Sequence, residues 1–206
     1  MQPPISRRSV CAACQRAQSA CICAWVTPVD PAVDVLILQH PLEVHHAKNS
    51  AGLLHRCLRG SRLLVGEAFD ASVLQAALPT DRYVVLLYPA TASAGHRDAA
   101  PLEPQRLRDP FRVTLVVLDG TWRKSRKMLH CNPLLQSLPR LALTEVAASS
   151  YVIRRAHQPG QLSTFEATCA ALAQLEGDAQ KFQPLQQAFQ GFVMQQAARD
   201  PAYATA

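Results

Sequence analysis

Four short apolar runs punctuate the middle of the chain, at residues 33–38, 62–65, 83–88 and 113–118, each rich in Val, Leu or Ile. Short β-branched or leucine-rich runs of this kind predict buried strands. Between them the pattern turns helical at 49–59 and 71–78, and the stretch 122–129 follows directly on the fourth run. Strands alternating with helices predict an α/β fold, a mostly parallel sheet flanked by helices. The last third is helical alone, with 164–176 and 184–198 rich in Ala, Leu and Gln. Residues 1–29 break the pattern: apolar periodicity is weak, and two prolines in Thr27-Pro28-Val29-Asp30-Pro31 stop any regular element. The expected organisation is a small N-terminal module over 1–29 and one larger domain over 30–206.

Composition narrows the class. With 206 residues, 49% of them hydrophobic, the chain can bury a core without disulfides. The run at 83–88 falls far short of the ~18 apolar residues that span a bilayer, so no membrane segment is expected. No apolar segment follows Arg7 and Arg8, which argues against a secretory leader. The expected address is the cytoplasm, where the seven cysteines would be thiols or metal ligands. No two of the eight glycines are two positions apart, so G-x-G-x-x-G cannot be written, and no G-x-x-x-x-G-K occurs.

Charge becomes informative once located. The net charge is +6, and between Asp119 and Glu145 there is no acid, while Arg123, Lys124, Arg126, Lys127 and Arg140 all fall there. Such a patch fits a polyanion such as nucleic acid, and equally a solvated helix face.

Three local patterns can carry chemistry. Cys11-x-x-Cys14 followed by Cys21-x-Cys23 offers four thiolates within thirteen residues, the ligand set of a structural zinc ion; a redox dithiol or free cysteines are the alternatives. Asp119-Gly120-Thr121-Trp122 ends the fourth apolar run, at the strand end where open α/β sheets bind ligands. Asp119 could accept a proton there; alternatively Asp119 or Thr121 caps the next helix and Trp122 packs inside. At ~100° per residue, Arg123, Lys124, Arg126 and Lys127 share a broad helical arc beside Asp119. Ser163-Thr164-x-Glu166 forms a capping box, and its helix N-terminus could also hold a carboxylate. The histidines at 40, 45 and 46 after the first run fit either catalysis or ordinary packing.

Together these blocks resemble the DTW-domain family, whose Asp-x-Thr-Trp signature reads here as Asp119-Gly120-Thr121-Trp122. The same order includes the C-x-x-C and C-x-C module, Gln39-His40-Pro41 with Glu43, Leu87-Tyr88-Pro89, and Ser163-Thr164-x-Glu166-Ala167. Two departures stand out: Ala17 follows Arg16 where the family has proline, and residues 49–52 read Asn-Ser-Ala-Gly where it often has Asn-Thr-Gly-Arg.

The resemblance implies a SPOUT-like, knotted domain that transfers the 3-amino-3-carboxypropyl group of S-adenosylmethionine to N3 of a uridine in the tRNA variable loop. It implies a co-substrate cleft formed by Leu87, Tyr88, Pro89, Leu118, Gly120, Ser163, Thr164 and Glu166, with Asp119, Thr121 and Trp122 at the reaction centre. The expected RNA contacts are Arg123, Lys124, Arg126, Lys127, Arg154, Arg155, His45, Lys48 and Asn49, and zinc would occupy Cys11, Cys14, Cys21 and Cys23. The long helical tail could cover the surface through which related folds dimerise and leave a monomer. An S-adenosylmethionine-dependent RNA methyltransferase and a non-catalytic zinc-module RNA-binding protein are the competing functions.

Overall fold

A computed structural model describes residues 9–44, 46–89, 99–144 and 162–199. The apolar runs form strands β1 (Asp34–Gln39), β2 (Arg62–Val65), β3 (Tyr83–Leu87) and β4 (Val113–Asp119), with a short β5 (Arg140–Leu141). They make one wholly parallel sheet in the order β2-β1-β4-β3-β5. Every residue of β4 is buried, as expected of a central strand covered on both faces.

The helices are α1 (Ala51–Cys57), α2 (Ala71–Ala77), α3 (Trp122–Cys131), α4 (Pro133–Gln136), α5 (Thr164–Glu176) and α6 (Gln183–Ala197). The two-residue period of the strands sorts them into layers. Val35, Ile37, Leu115 and Val117 point to one face, where they meet Leu53 and Leu54 of α1, Phe165 and Leu172 of α5, and Phe189 and Phe192 of α6. Leu36, Leu38, Val116 and Leu118 point to the other, against Leu74 of α2, Met128 and Leu129 of α3, and Leu135 of α4. Phe165 stacks on Phe189 with ring centroids 4.9 Å apart, which locks α5 to α6. Gly177, at φ 66°, ends α5 in the left-handed conformation glycine adopts without strain. The apolar pattern thus located the four long strands and most helices; β5 and α4 carry too few residues to make a periodic signal.

The cysteine segment packs on the first layer. Cys14 and Ile22 are buried in the same core as α1, α5 and α6. Trp25 lies across α6 so closely that a Cβ at Gly191 would fall 2.2 Å from its ring, and its Nε1 donates to Gln195 Oε1 at 3.0 Å. Among the described residues no helix is long and apolar enough to cross a membrane.

Candidate active site

Parallel strands leave their carboxyl ends on one edge, and here that edge gathers polar side chains. The register pairs Gln39, the last residue of β1, with Asp119, the last of β4. Asp119 is 1% exposed, yet its carboxylate is well satisfied. Oδ2 accepts from Gln39 Nε2 at 2.9 Å and from Asn49 Nδ2 at 2.7 Å, while Oδ1 accepts from the Thr164 hydroxyl at 2.8 Å. Asn49 Oδ1 accepts in turn from Gln39 Nε2 and from the Ala51 amide, both at 3.0 Å. Four separate pieces of chain, β1, the 46–50 loop, β4 and α5, are therefore tied through one carboxylate. With about four acceptor sites on a carboxylate, three are occupied by protein donors, all of them neutral.

Around this tie the Asp-x-Thr-Trp residues divide the work. Gly120 admits close approach: a Cβ there would lie 3.1 Å from Lys124 Cβ and 3.6 Å from His40 Cβ. Thr121 is the N-cap of α3 and its hydroxyl accepts from the Lys124 amide at 3.4 Å. Trp122 is not a core residue but 44% exposed, set edge-on to Tyr88 with ring centroids 5.8 Å apart. Arg140 lies over the Tyr88 ring, and burial pushes the Tyr88 hydroxyl up from its ordinary value. Of the stretches expected to line a cleft, the α5 head is bonded to the β4 end through Thr164 and Asp119, while Tyr88 sits against Trp122 just beyond it.

At the head of α5 the capping box is complete. Ser163 Oγ accepts from the Glu166 amide at 3.2 Å, and Glu166 Oε2 accepts from the Ser163 amide at 2.9 Å and its hydroxyl at 2.8 Å. The Ser163 and Thr164 hydroxyls thus serve the helix cap and Asp119.

The basic arc of α3 is partly paired. Lys124 Nζ lies 2.9 Å from Glu43, itself 1% exposed, and Lys127 Nζ lies 2.8 Å from Glu67. His40 Nδ1 accepts from the Leu42 amide, which leaves the ring proton on Nε2, 2.9 Å from Glu67. Lys127 first and His40 second hold the Glu67 carboxyl below its ordinary value. Arg123 and Arg126 are exposed on the same helix. Asn49, expected among the RNA contacts, is instead 2% exposed with its amide committed to Asp119 and Gln39, so it cannot reach a phosphate. Lys48 is half-buried, and His45, Arg154 and Arg155 lie outside the described residues.

The four cysteines converge, their sulfurs all within 4.8 Å of one another. Cys11–Cys23 and Cys14–Cys21 are each 3.8 Å apart and Cys11–Cys21 3.5 Å. Tetrahedral ligands with bonds of about 2.3 Å sit about 3.8 Å apart, so the cluster fits one tetrahedral ion. Backbone amides of Cys14 and Ala13 pull the Cys11 thiol down to about 6, whereas Cys23, bonded to Cys21 among the other sulfurs, is pushed up to about 12.

Gln39 and Glu43 belong to a block that carries the family resemblance, but sequence reasoning gives them no role in the site, and Glu67 lies outside every block. Gln39 carried a signal, being the polar residue that closes an apolar run at the register of Asp119. For Glu43 the only signal was its place in that block, and Glu67 carried none, since their partners Lys124 and Lys127 are distant in sequence.

A parallel α/β domain with a buried polar tie at its strand ends, an exposed tryptophan beside it and a four-cysteine cluster is the class defined by this geometry. The DTW domain model matches residues 8–197, and the chain belongs to that family. It is 31% identical over 177 residues to tRNA-uridine aminocarboxypropyltransferase 2 of Mus musculus, covering 82% of this chain and 57% of the mouse protein. The Drosophila melanogaster protein of the same name is 33% identical over 182 residues, 84% of this chain and 69% of its own length. tRNA-uridine aminocarboxypropyltransferase A of Arabidopsis thaliana is 25% identical over 202 residues, 86% and 76% respectively. The chain therefore spans little more than half the length of the mouse relative. No solved structure matches it.

Proposed function

We propose that the protein transfers the 3-amino-3-carboxypropyl group of S-adenosylmethionine to N3 of a uridine in the variable loop of tRNA, releasing methylthioadenosine. The observation that carries this reading is the convergence of Asp119, Thr164 and the Tyr88–Trp122 pair at one edge of the sheet. It occurs in a chain whose relatives are tRNA-uridine aminocarboxypropyltransferases. In balance, N3 of uridine forms a bond to the terminal carbon of the aminocarboxypropyl arm, that carbon's bond to sulfur breaks, and the N3 proton leaves to a base.

S-adenosylmethionine supplies a sulfonium with three electrophilic carbons, so the product depends on which is placed in line with the nucleophile. In this reading the cleft runs over Leu87, Tyr88, Pro89, Leu118, Gly120, Ser163, Thr164 and Glu166. Asp119 acts there first by fixing the loops that shape the cleft. Among the described residues all its bonded donors are neutral, and a carboxylate so held complements a sulfonium bound at the strand ends. Its remaining acceptor site is the one from which it would take the N3 proton. Trp122, held by Tyr88 with much of its ring exposed, offers a stacking surface to a loop base. Arg123, Arg126 and Lys127 contact phosphates, with Lys124 positioned by Glu43 at their margin.

The domain follows the SPOUT-like knotted fold, and the cysteine cluster holds a structural zinc with all four positions filled by protein. In this reading the protein works in the cytoplasm, with 1–29 as a module on the 30–206 domain. Incubation with S-adenosylmethionine and unmodified tRNA, followed by mass spectrometry of the small-molecule product, tests the reading. Methylthioadenosine formed only with RNA is expected. S-adenosylhomocysteine would identify a methyltransferase instead, and tRNA binding without either product would leave a binding protein.

A further inference from the structure

The cysteine cluster and the strand-end tie are joined by one side chain. Arg16 lies between the two cysteine pairs, directly after Gln15, which adopts a left-handed φ of 59°. The Cys11 amide donates to the Arg16 carbonyl at 2.8 Å, so the backbone of Arg16 is part of the turn that gathers the sulfurs. Its guanidinium points the other way, out of the module. Nη1 donates to the Ala47 carbonyl at 2.9 Å and Nη2 to the Asn49 carbonyl at 2.6 Å, while the Phe192 ring lies 5.6 Å from the guanidinium carbon. Asn49 then donates to Asp119. A rigid fork that spans two carbonyls is a job for arginine, since an ammonium is a point charge on a flexible stem.

A second strut offers a contrast. Arg56 of α1 donates to the Ala13 carbonyl at 3.0 Å and the Gly52 carbonyl at 3.2 Å, holding the module without touching 47–49.

We propose that Arg16 is a positioning residue, which converts the folded cysteine module into a fixed conformation of residues 47–49 and so holds Asn49 on Asp119. Metal at the cysteines would then control the geometry of the polar site at the strand ends of the sheet. The effect on turnover rests on the transferase reading; the effect on the loop rests on the hydrogen bonds alone.

The experiment compares zinc-loaded full-length wild type with Arg16→Met, Arg16→Lys and Arg56→Met, measuring zinc content, amide hydrogen exchange and methylthioadenosine formation. The diagnostic amides are Asn49, which donates to the His46 carbonyl, and Ala51, which donates to Asn49 Oδ1; β4 amides serve as the internal reference. Arg16→Met should retain zinc yet exchange at Asn49 and Ala51 about tenfold faster or more, the loss of two charge-assisted hydrogen bonds. Arg16→Lys should fall between, and Arg56→Met should match wild type. Turnover should fall in kcat with the KM for tRNA unchanged, which an RNA-contact role would not produce. Removing zinc from wild type with a chelator should speed the same two amides, and should add little in Arg16→Met. Unchanged exchange in zinc-retaining Arg16→Met, or equal acceleration in Arg56→Met, overturns the proposal. If Arg16→Met loses zinc, wild-type exchange in Arg16→Lys overturns it. Loosened amides in a protein whose wild type forms no methylthioadenosine would instead support the loop role and refute the transferase reading.

Discussion

The two ends of the central strands each carry an aspartate, and the two are treated differently. Asp34 opens β1 and is paired in the ordinary way: Arg62 and the Thr114 hydroxyl both donate to it, and its side chain is 19% exposed. Asp119 closes β4 at 1% exposure, with Gln39, Asn49 and Thr164 as donors and no cation among them. At the amino-terminal edge the charge is paired with Arg62; at the carboxyl-terminal edge the described donors to the carboxylate are all neutral. Burying a carboxylate is costly, and four chain segments converge to supply the described hydrogen bonds that offset it.

Breaking the comparison at its strong end should give the largest effect. Asp119→Ala strands the Gln39, Asn49 and Thr164 donors, so unfolding free energy should fall by about 3–5 kcal/mol, measured by urea denaturation, and tRNA modification should drop by at least about 100-fold. Thr164→Val removes a single donor of the tie and should cost about 1.5–3 kcal/mol in the same assay, with a partial loss of activity. Asp34→Asn, at the opposite edge, should cost about 1 kcal/mol or less and leave tRNA modification at the wild-type rate.

The surface of α3 sharpens the contrast without touching stability. Arg123→Gln and Arg126→Gln should each reduce the slope of log affinity for tRNA against log salt by about 1, with denaturation midpoints unchanged. The smallest effect belongs to Glu67 and Lys127. Glu67 is held below its ordinary value, so its stabilisation is present above pH 4.5 and lost as acid protonates the folded carboxyl. Lys127 is raised, so its share is present below pH 10.5 and lost as alkali passes the folded value. Because this pair is exposed, Glu67→Gln should shift the melting temperature by no more than about 2 °C at pH 7, and that difference should vanish in acid.

Much of the scaffold could be read from the chain because strands buried on both faces appear as runs dominated by apolar residues, as in β4, where Thr114 and the terminal Asp119 are the polar members. The Asp119 position followed from its place at such a run's end. Its role was harder to see, because the donors that occupy it come from residues 39, 49 and 164, and spacing along a chain does not report proximity across a parallel sheet. The basic arc of α3 shows the same limit. No acid lies within residues 120–144, but the fold brings Glu43 and Glu67 onto Lys124 and Lys127. The role of Arg16 was hidden for a related reason: the residue belongs to the cysteine module, but its partners are 31 and 33 residues away. The cysteine cluster was the opposite case, since all its ligand atoms come from thirteen consecutive residues.

The central claim is that chemistry resides at the Asp119 edge of the sheet. It is tested most directly by quantifying aminocarboxypropyluridine in digested tRNA after incubation with S-adenosylmethionine and the wild-type, Asp34→Asn or Asp119→Asn protein. The modified nucleoside is expected from wild type and Asp34→Asn alike and none from Asp119→Asn. A folded Asp119→Asn protein that modifies tRNA at the wild-type rate would contradict it.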